Sequence, residues 1–171
     1  QSLAVLTVTP GVLFLPEVVP PDQLAGLLSP LQTAIKTSLL SQNAVLIGPD
    51  AQGDLRAHNP ELVGCLDQFG CQERFGQLAA AQFVLRLVIQ GTIAGPAPTA
   101  PTAIAPAHSY RYQISLIDVD VGQVSVEALQ TCTDCPAPRL VAQVNDAIAD
   151  LFRQASTRAR GTLVINSEPP G

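Results

Sequence analysis

The chain has 171 residues, which is enough for one domain, or for one domain and a fragment of a second. Apolar residues make up 47% of it and charged residues only 13%, a composition that argues against a disordered chain. The net charge of −5 argues against nucleic acid or an anionic membrane surface as a partner, because both attract basic proteins. No apolar run in the sequence approaches the roughly 20 residues that are needed to cross a bilayer.

The chain begins with a predicted strand and a predicted helix. Residues 3–8 form an apolar run that favours a buried strand, and residues 12–21 are predicted to be irregular. An apolar stripe at helical spacing then predicts a helix over residues 21–41. Pro30 lies inside it, so either Ser29 caps a helix that begins at Pro30, or a longer helix is disturbed there. The stripe continues across the proline, which favours the longer helix.

Two short elements precede a long β region. Residues 44–47 predict a strand that ends at a Gly-Pro pair, and the polar residues 50–64 predict a loop. Residues 71–81 predict a short helix. The apolar face of that helix is expected to carry Cys71, Phe75, Leu78 and Ala79.

Residues 83–131 predict an antiparallel meander of three strands. Apolar and polar residues alternate in the first two strands, so one face of the sheet should be core. Residues 94–107 are rich in proline and alanine and predict an extended excursion rather than a tight turn. Residues 138–156 carry the clearest amphipathic helix pattern in the chain. The order β-α-β-α-β-β-β-α therefore predicts an α/β (α+β) fold, with helices packed on a five-stranded mixed sheet.

The four cysteines form two close pairs, Cys65 with Cys71 and Cys132 with Cys135. An even number in loops predicts two disulfides and an oxidising compartment. Three connectivities are possible, and we favour local pairing, in which each short loop contributes about 2 kcal/mol. The chain begins at Gln1 without a signal-peptide pattern, as expected either for an exported protein from which such a peptide has been removed or for a trimmed chain, and the cysteines favour export.

The second cysteine pair also has the CxxC spacing of thiol-disulfide oxidoreductases. In such enzymes a helix N-terminus lowers the thiol pKa, but the prolines at 136 and 138 delay the helix here, so a structural disulfide is favoured. The spacing is not typical of zinc sites, and His58 and His108 are both expected in loops. Residues 118–122 resemble the start of a calcium loop, but a hairpin turn explains them better. We therefore predict no catalytic residues, metal or cofactor.

The last residues resemble the opening of a PEGA domain, a small β module. Residues 161–171 read as a strand followed by a motif in which Ser167, Pro169, Pro170 and Gly171 match the family pattern. The resemblance implies two units. The first is an α/β envelope domain at 1–157, and the second is a linker with the first strand of a truncated PEGA-like module at 158–171.

The preceding residues resemble an α/β domain that lies ahead of such modules in exported bacterial proteins. The element order is similar to that of the TolB amino-terminal domain and of CsgG-type periplasmic domains. The residues that carry this likeness are 3–8, 39–40, 71–82, 91–93 and 116–118. The resemblance implies a non-catalytic domain, periplasmic or on the bacterial cell surface.

Two classes of function follow from these observations. The first is an envelope domain that binds other envelope proteins or assembles with itself, through a sheet edge by strand addition or through residues 94–107. The second is a thiol-disulfide oxidoreductase that uses Cys132 and Cys135. A structural subunit of a surface filament or complex is a further alternative to both.

Overall fold

The computed structural model describes residues 9–19, 25–93 and 108–167, which form one five-stranded mixed sheet with helices on both faces. The strand order is β2-β1-β3-β4-β5, in which β1 is parallel to both of its neighbours and β3, β4 and β5 are antiparallel. The predicted fold class is confirmed. The strands are β1 Gly11–Val19, β2 Val45–Ile47, β3 Phe83–Ile93, β4 His108–Asp118 and β5 Gln123–Cys132. The helices are α1 Ala25–Ser41, α2 Gly53–His58, α3 Pro60–Val63, α4 Phe69–Leu78 and α5 Ala137–Ser167, with a 3-10 turn at Pro49–Gln52.

The strand β1 corrects the prediction that residues 12–21 are irregular. It lies between β2 and β3, and its first five positions are apolar apart from Gly11. The carbonyls of Pro10 and Phe14 face the β2 side, where they accept hydrogen bonds from Val45 N and Gln52 Nε2. The backbone of Pro16 also faces the β2 side, but the pairing with β2 ends at Leu13 and Ile47. The missing N–H of Pro16 therefore removes no hydrogen bond between the strands. The strand predicted at residues 3–8 lies outside the described residues.

The helices α1 and α5 cover one face of the sheet, which we call the covered face. Pro30 lies inside α1, so the prediction of a single longer helix is confirmed. Between these helices and the strands lies the larger of two apolar clusters, which includes an edge-to-face contact of Phe83 with Phe152 at 5.5 Å.

Helix α5 continues to Ser167, so the strand predicted from residue 161 is wrong there. No described strand offers these residues a partner, whereas a helix satisfies their backbone groups within the segment. The domain division at residue 157 stays a prediction, and residues 168–171 lie outside the described residues.

The opposite face, which we call the second face, carries a smaller cluster beneath α4. Its buried residues include Leu13, Leu15, Phe75 and Val84. The predicted apolar face of α4 is wrong at Leu78, which is 46% exposed, because Gln72, Phe75 and Gly76 face the sheet instead.

The predicted loop at 50–64 is replaced by the 3-10 turn, α2 and α3. The fully buried Gln52 anchors this segment, because its amide donates to Phe14 O at 2.8 Å and to Ile47 O at 3.0 Å. The two histidines also differ from their predicted places. His58 is the last residue of α2 and His108 is the first of β4, so neither lies in a loop.

Candidate interaction surface

The two faces of the sheet are covered to different extents. On the second face, α4 and the segment before it cover the side chains only near the start of β3. The remaining side chains of this face lie in rows that cross the strands. Most of them are exposed, and among the apolar ones Val19 is 42% and Leu129 64% exposed. We call this region the open face. Its residues are Glu17, Val19, Val88, Gln90, Arg111, Gln113, Ser115, Glu127, Leu129 and Thr131.

The strand β5 ends the sheet beside the open face. Val119 N donates to Gln82 O at 2.9 Å, so the backbone N–H and C=O groups of Val119 point towards β3. This direction alternates along the strand, and the backbone groups of Ile114 therefore point towards β5. The pairing of Ile114 with Ala128 then directs the backbone of Ala128 towards β4. The backbone groups of Glu127 and Leu129, on either side of Ala128, therefore point away from β4. We call the backbone of Glu127, Leu129 and Thr131 the outer edge.

A side-chain contact supports this orientation. Gln143 Nε2 on α5 donates to Thr131 O at 3.1 Å, as expected for a carbonyl that faces away from β4. No other described strand pairs with the outer edge. The remaining N–H and C=O groups of this edge therefore have the geometry that an added strand requires.

The outer edge lacks the features that usually protect an edge strand. Soluble proteins blunt such edges with lysine, proline, short length or charge. The ten residues of β5 include no Lys, Arg or Pro, and Glu127 is their single charged residue. A register shift opposite Leu116 and Ile117 bends only the start of the strand. The opposite edge, β2, has three residues and offers little backbone for pairing.

The structure brings the four cysteines together in the two local pairs. Cys65 and Cys71 link the turn after α3 to α4, with Cα atoms 5.8 Å apart. Cys132 and Cys135 join the end of β5 to the segment before α5, with Cα atoms 5.5 Å apart. Both residues of the second pair are only 3% exposed, and α5 begins at Ala137, beyond them. A redox-active thiol is normally accessible and lies at a helix N-terminus, so this geometry suits a structural link better than thiol exchange.

The acidic motif at residues 118–122 is a hairpin turn. Asp118 Oδ1 accepts hydrogen bonds from the backbone N–H groups of Asp120 and Val121, at 3.0 and 3.2 Å. Gly122 N donates to Asp118 O at 2.8 Å and adopts a φ of +74°, which favours glycine. The carboxylate thus serves the turn, and no cluster of three His, Cys, Asp or Glu in the described ranges could hold a metal ion.

Two other expectations concern residues 94–107 and a membrane-spanning helix. Residues 94–107, the proposed second contact surface, lie outside the described residues. Within the described segments, no helix has both the length and the apolar character that a membrane crossing requires.

Comparison with known proteins places the fold but not a family. No protein-family description and no curated protein matches the sequence. Lipoprotein GNA1162 from Neisseria meningitidis has a similar structure, with a TM-score of 0.51 and 12% identity over 84% of this chain and 98% of that one. This likeness concerns the fold alone.

Two weaker similarities have TM-scores below 0.5 and support no further conclusion. TolB from Acinetobacter baumannii has a TM-score of 0.45 and 17% identity over 88% of this chain and 29% of that one. The LpoB C-terminal domain from Salmonella enterica has a TM-score of 0.43 and 11% identity over 76% of this chain and 87% of that one. The PEGA resemblance and the removed signal peptide stay predictions.

Proposed function

We propose that this chain is a non-catalytic interaction domain of the bacterial cell envelope, which binds a protein partner by strand addition to β5. The observation that carries the proposal is the outer edge, where the backbone groups of Glu127, Leu129 and Thr131 face away from β4 in a strand without lysine or proline. The side chain of Leu129, which is 64% exposed, would pack against side chains of the added strand.

The proposed location has two supports. The first is the pairing of all four cysteines, since disulfides persist in oxidising compartments such as the periplasm. The second is the likeness in fold to a bacterial lipoprotein. Periplasmic or cell-surface partners, or further copies of this chain, are the binding partners that such a location makes available.

The substitution Leu129→Pro tests the mode of binding. Proline would remove an outward N–H that an added strand needs, but would leave the bonds between β4 and β5 in place. Leu129→Thr is the matched control, because it shortens the same side chain and keeps the N–H. Wild-type protein should retain a discrete partner from solubilised envelope, Leu129→Pro should lose it, and Leu129→Thr should be affected less.

Hydrogen exchange then distinguishes strand addition from other contacts. The amides of Glu127, Leu129 and Thr131 should exchange rapidly in the isolated chain and slowly in the complex. A folded Leu129→Pro variant that retains the partner as well as wild type would contradict the proposal, as would unchanged exchange at these amides.

Two further measurements address the alternatives. If β5 pairs with a second copy, sedimentation of the purified chain should show a dimer that Leu129→Pro dissociates. The oxidoreductase alternative predicts catalysed thiol-disulfide exchange that is lost in Cys132→Ser. Our proposal predicts none, because both cysteines are buried.

A further inference from the structure

Arg86 occupies an unusual place on the second face of the sheet. It lies on β3, between Leu15 of β1 and Ser115 of β4, at the border of the sealed region and the open face. Its side chain is only 14% exposed, although a guanidinium is always charged and loses hydration when it is covered. Within the described residues its hydrogen-bonded partner is Glu17, which contacts a single nitrogen, Nη2.

The guanidinium is therefore only partly paired. Of its roughly five N–H donors, those of Nε and Nη1 have no acceptor in the described part of the chain. Glu17 is 47% exposed and so is itself accessible to solvent. A largely covered arginine with open donors is suited to a second carboxylate, because its planar fork matches two oxygens at once.

Two cavities flank Arg86, and we call the two together the groove. The first, of about 310 Å³, lies towards β1, and the second, of about 270 Å³, lies towards β5. Both are lined by Arg86 and Asp67, so the groove passes between the sheet and the segment that the Cys65–Cys71 pair closes. From β1 to β5 it crosses three strand spacings of about 4.8 Å, or about 14 Å, which corresponds to roughly four residues of extended peptide.

The walls on the two sides of Arg86 differ in character. The first cavity presents mainly polar groups, because its apolar residues Leu15 and Leu66 are only 2% and 8% exposed. Phe69 and Val124 stand at the second, 39% and 41% exposed. Phe69 and Val124 would gain from contact with an apolar group of a ligand. A small anion would leave this surface wet, and a chain-terminal carboxylate at Arg86 would leave one cavity empty.

The net charge of the groove does not favour an anion. Arg56 lines the first cavity, but it already donates to Gln52 and lies over the Phe75 ring at 5.8 Å. Asp67 is exposed at the rim. Two arginines and two carboxylates balance, so selectivity for an acid would come from the open donors of Arg86 rather than from the net field.

We propose that this groove binds an extended peptide segment of a protein partner, in which an Asp or Glu side chain pairs with Arg86 and a nearby apolar residue fills the second cavity, against Phe69 and Val124. The site is separate from the outer edge of β5 and does not rest on strand addition.

Selection from a library of random displayed peptides on the folded, full-length chain tests the proposal. The selected peptides should share an acid with an apolar residue close to it on one side. A synthetic peptide of that sequence should bind Arg86→Gln at least about tenfold more weakly, the loss expected for a charge-assisted bidentate pair. Arg111→Gln is the matched control, because Arg111 is an arginine of the same face outside both cavities, and it should bind like wild type.

A second variant keeps the test valid if Arg86→Gln does not fold. Glu17→Gln removes the internal competitor for Arg86 and should tighten peptide binding severalfold, whereas a purely structural ion pair would give no gain. Replacing the acid of the peptide by its amide should weaken binding to wild type by a similar factor to Arg86→Gln. Selected peptides without an acid, equal binding to both arginine variants, or binding of succinate as tight as that of the peptide would each overturn the proposal.

Discussion

Replacement of Gly76 by alanine should destabilise the protein because α4 lies very close to the sheet at this residue. A Cβ at Gly76 would lie 2.6 Å from Val84 Cγ2 and 2.9 Å from Val119 Cγ2, closer than carbon atoms approach without displacement. Both neighbours are β-branched and restricted in χ1, so the helix itself must move. Overpacking of this kind costs about 1–3 kcal/mol, and two close contacts suggest the upper end. The better helix propensity of alanine returns about 1 kcal/mol. The net expectation is a loss of about 2 kcal/mol, or roughly 4–8 °C in Tm for a chain of this size.

Gly70→Ala supplies the matched control in the same helix. Nothing lies within 4 Å of a Cβ at Gly70, so this variant should be between neutral and about 1 kcal/mol more stable than wild type. Urea denaturation followed by circular dichroism measures both variants under one set of conditions. If Gly76→Ala proved as stable as Gly70→Ala, the close seating of α4 on the sheet would be refuted, and with it the shape of the groove that Phe69 and Gln72 help to line.

Two further predictions concern buried polar groups. Gln52→Ala should cost about 2–4 kcal/mol, because it leaves two covered carbonyls, those of Phe14 and Ile47, without their donor. Asn59 is only partly buried and donates one hydrogen bond, to Leu55 O, so Asn59→Ala should lower the free energy of unfolding by less in the same urea titration. Burial raises the pKa of Tyr112, so its phenol stays protonated in the folded state at a pH where the unfolded chain ionises. The contribution of Tyr112 to stability should therefore stay constant below about pH 10 and fall above it, and Tyr112→Phe should flatten that fall. Parallel losses in both proteins would show that another group is responsible.

The sequence was most informative where local pattern and tertiary environment agree. Alternation in β3 and β4 predicts their shared core face, and the structure buries Leu85, Leu87, Tyr112 and Ile114 on it. The amphipathic pattern of α5 is equally reliable over residues 138–156, because one stripe faces the core. In both cases the period of the side chains alone identifies the buried face.

Where the prediction failed, the deciding contact is distant in sequence. Pro16 made β1 look irregular, and only the early end of β2 makes a proline acceptable there. The residues around Gln52 looked like a polar loop, and the partner that orders them, Phe14, is 38 positions away. Arg86 looked like an ordinary solvent-facing residue of an alternating strand. Nothing in its neighbourhood along the chain indicates that the segment after α3 partly covers it.

The open face follows from the strand order together with the handedness of crossovers. From β1 the chain moves to one side to form β2, and then returns across β1 to form β3 on the other side. Because crossovers between parallel strands are right-handed, this reversal places α1 on one face and α4 on the other. After β5 the chain adds α5 beside α1, as the shared core of these helices shows. The second face is thus left with α4 and the short helices before it, which cannot cover five strands. Both the exposed rows beside β5 and the groove at Arg86 lie where that cover ends.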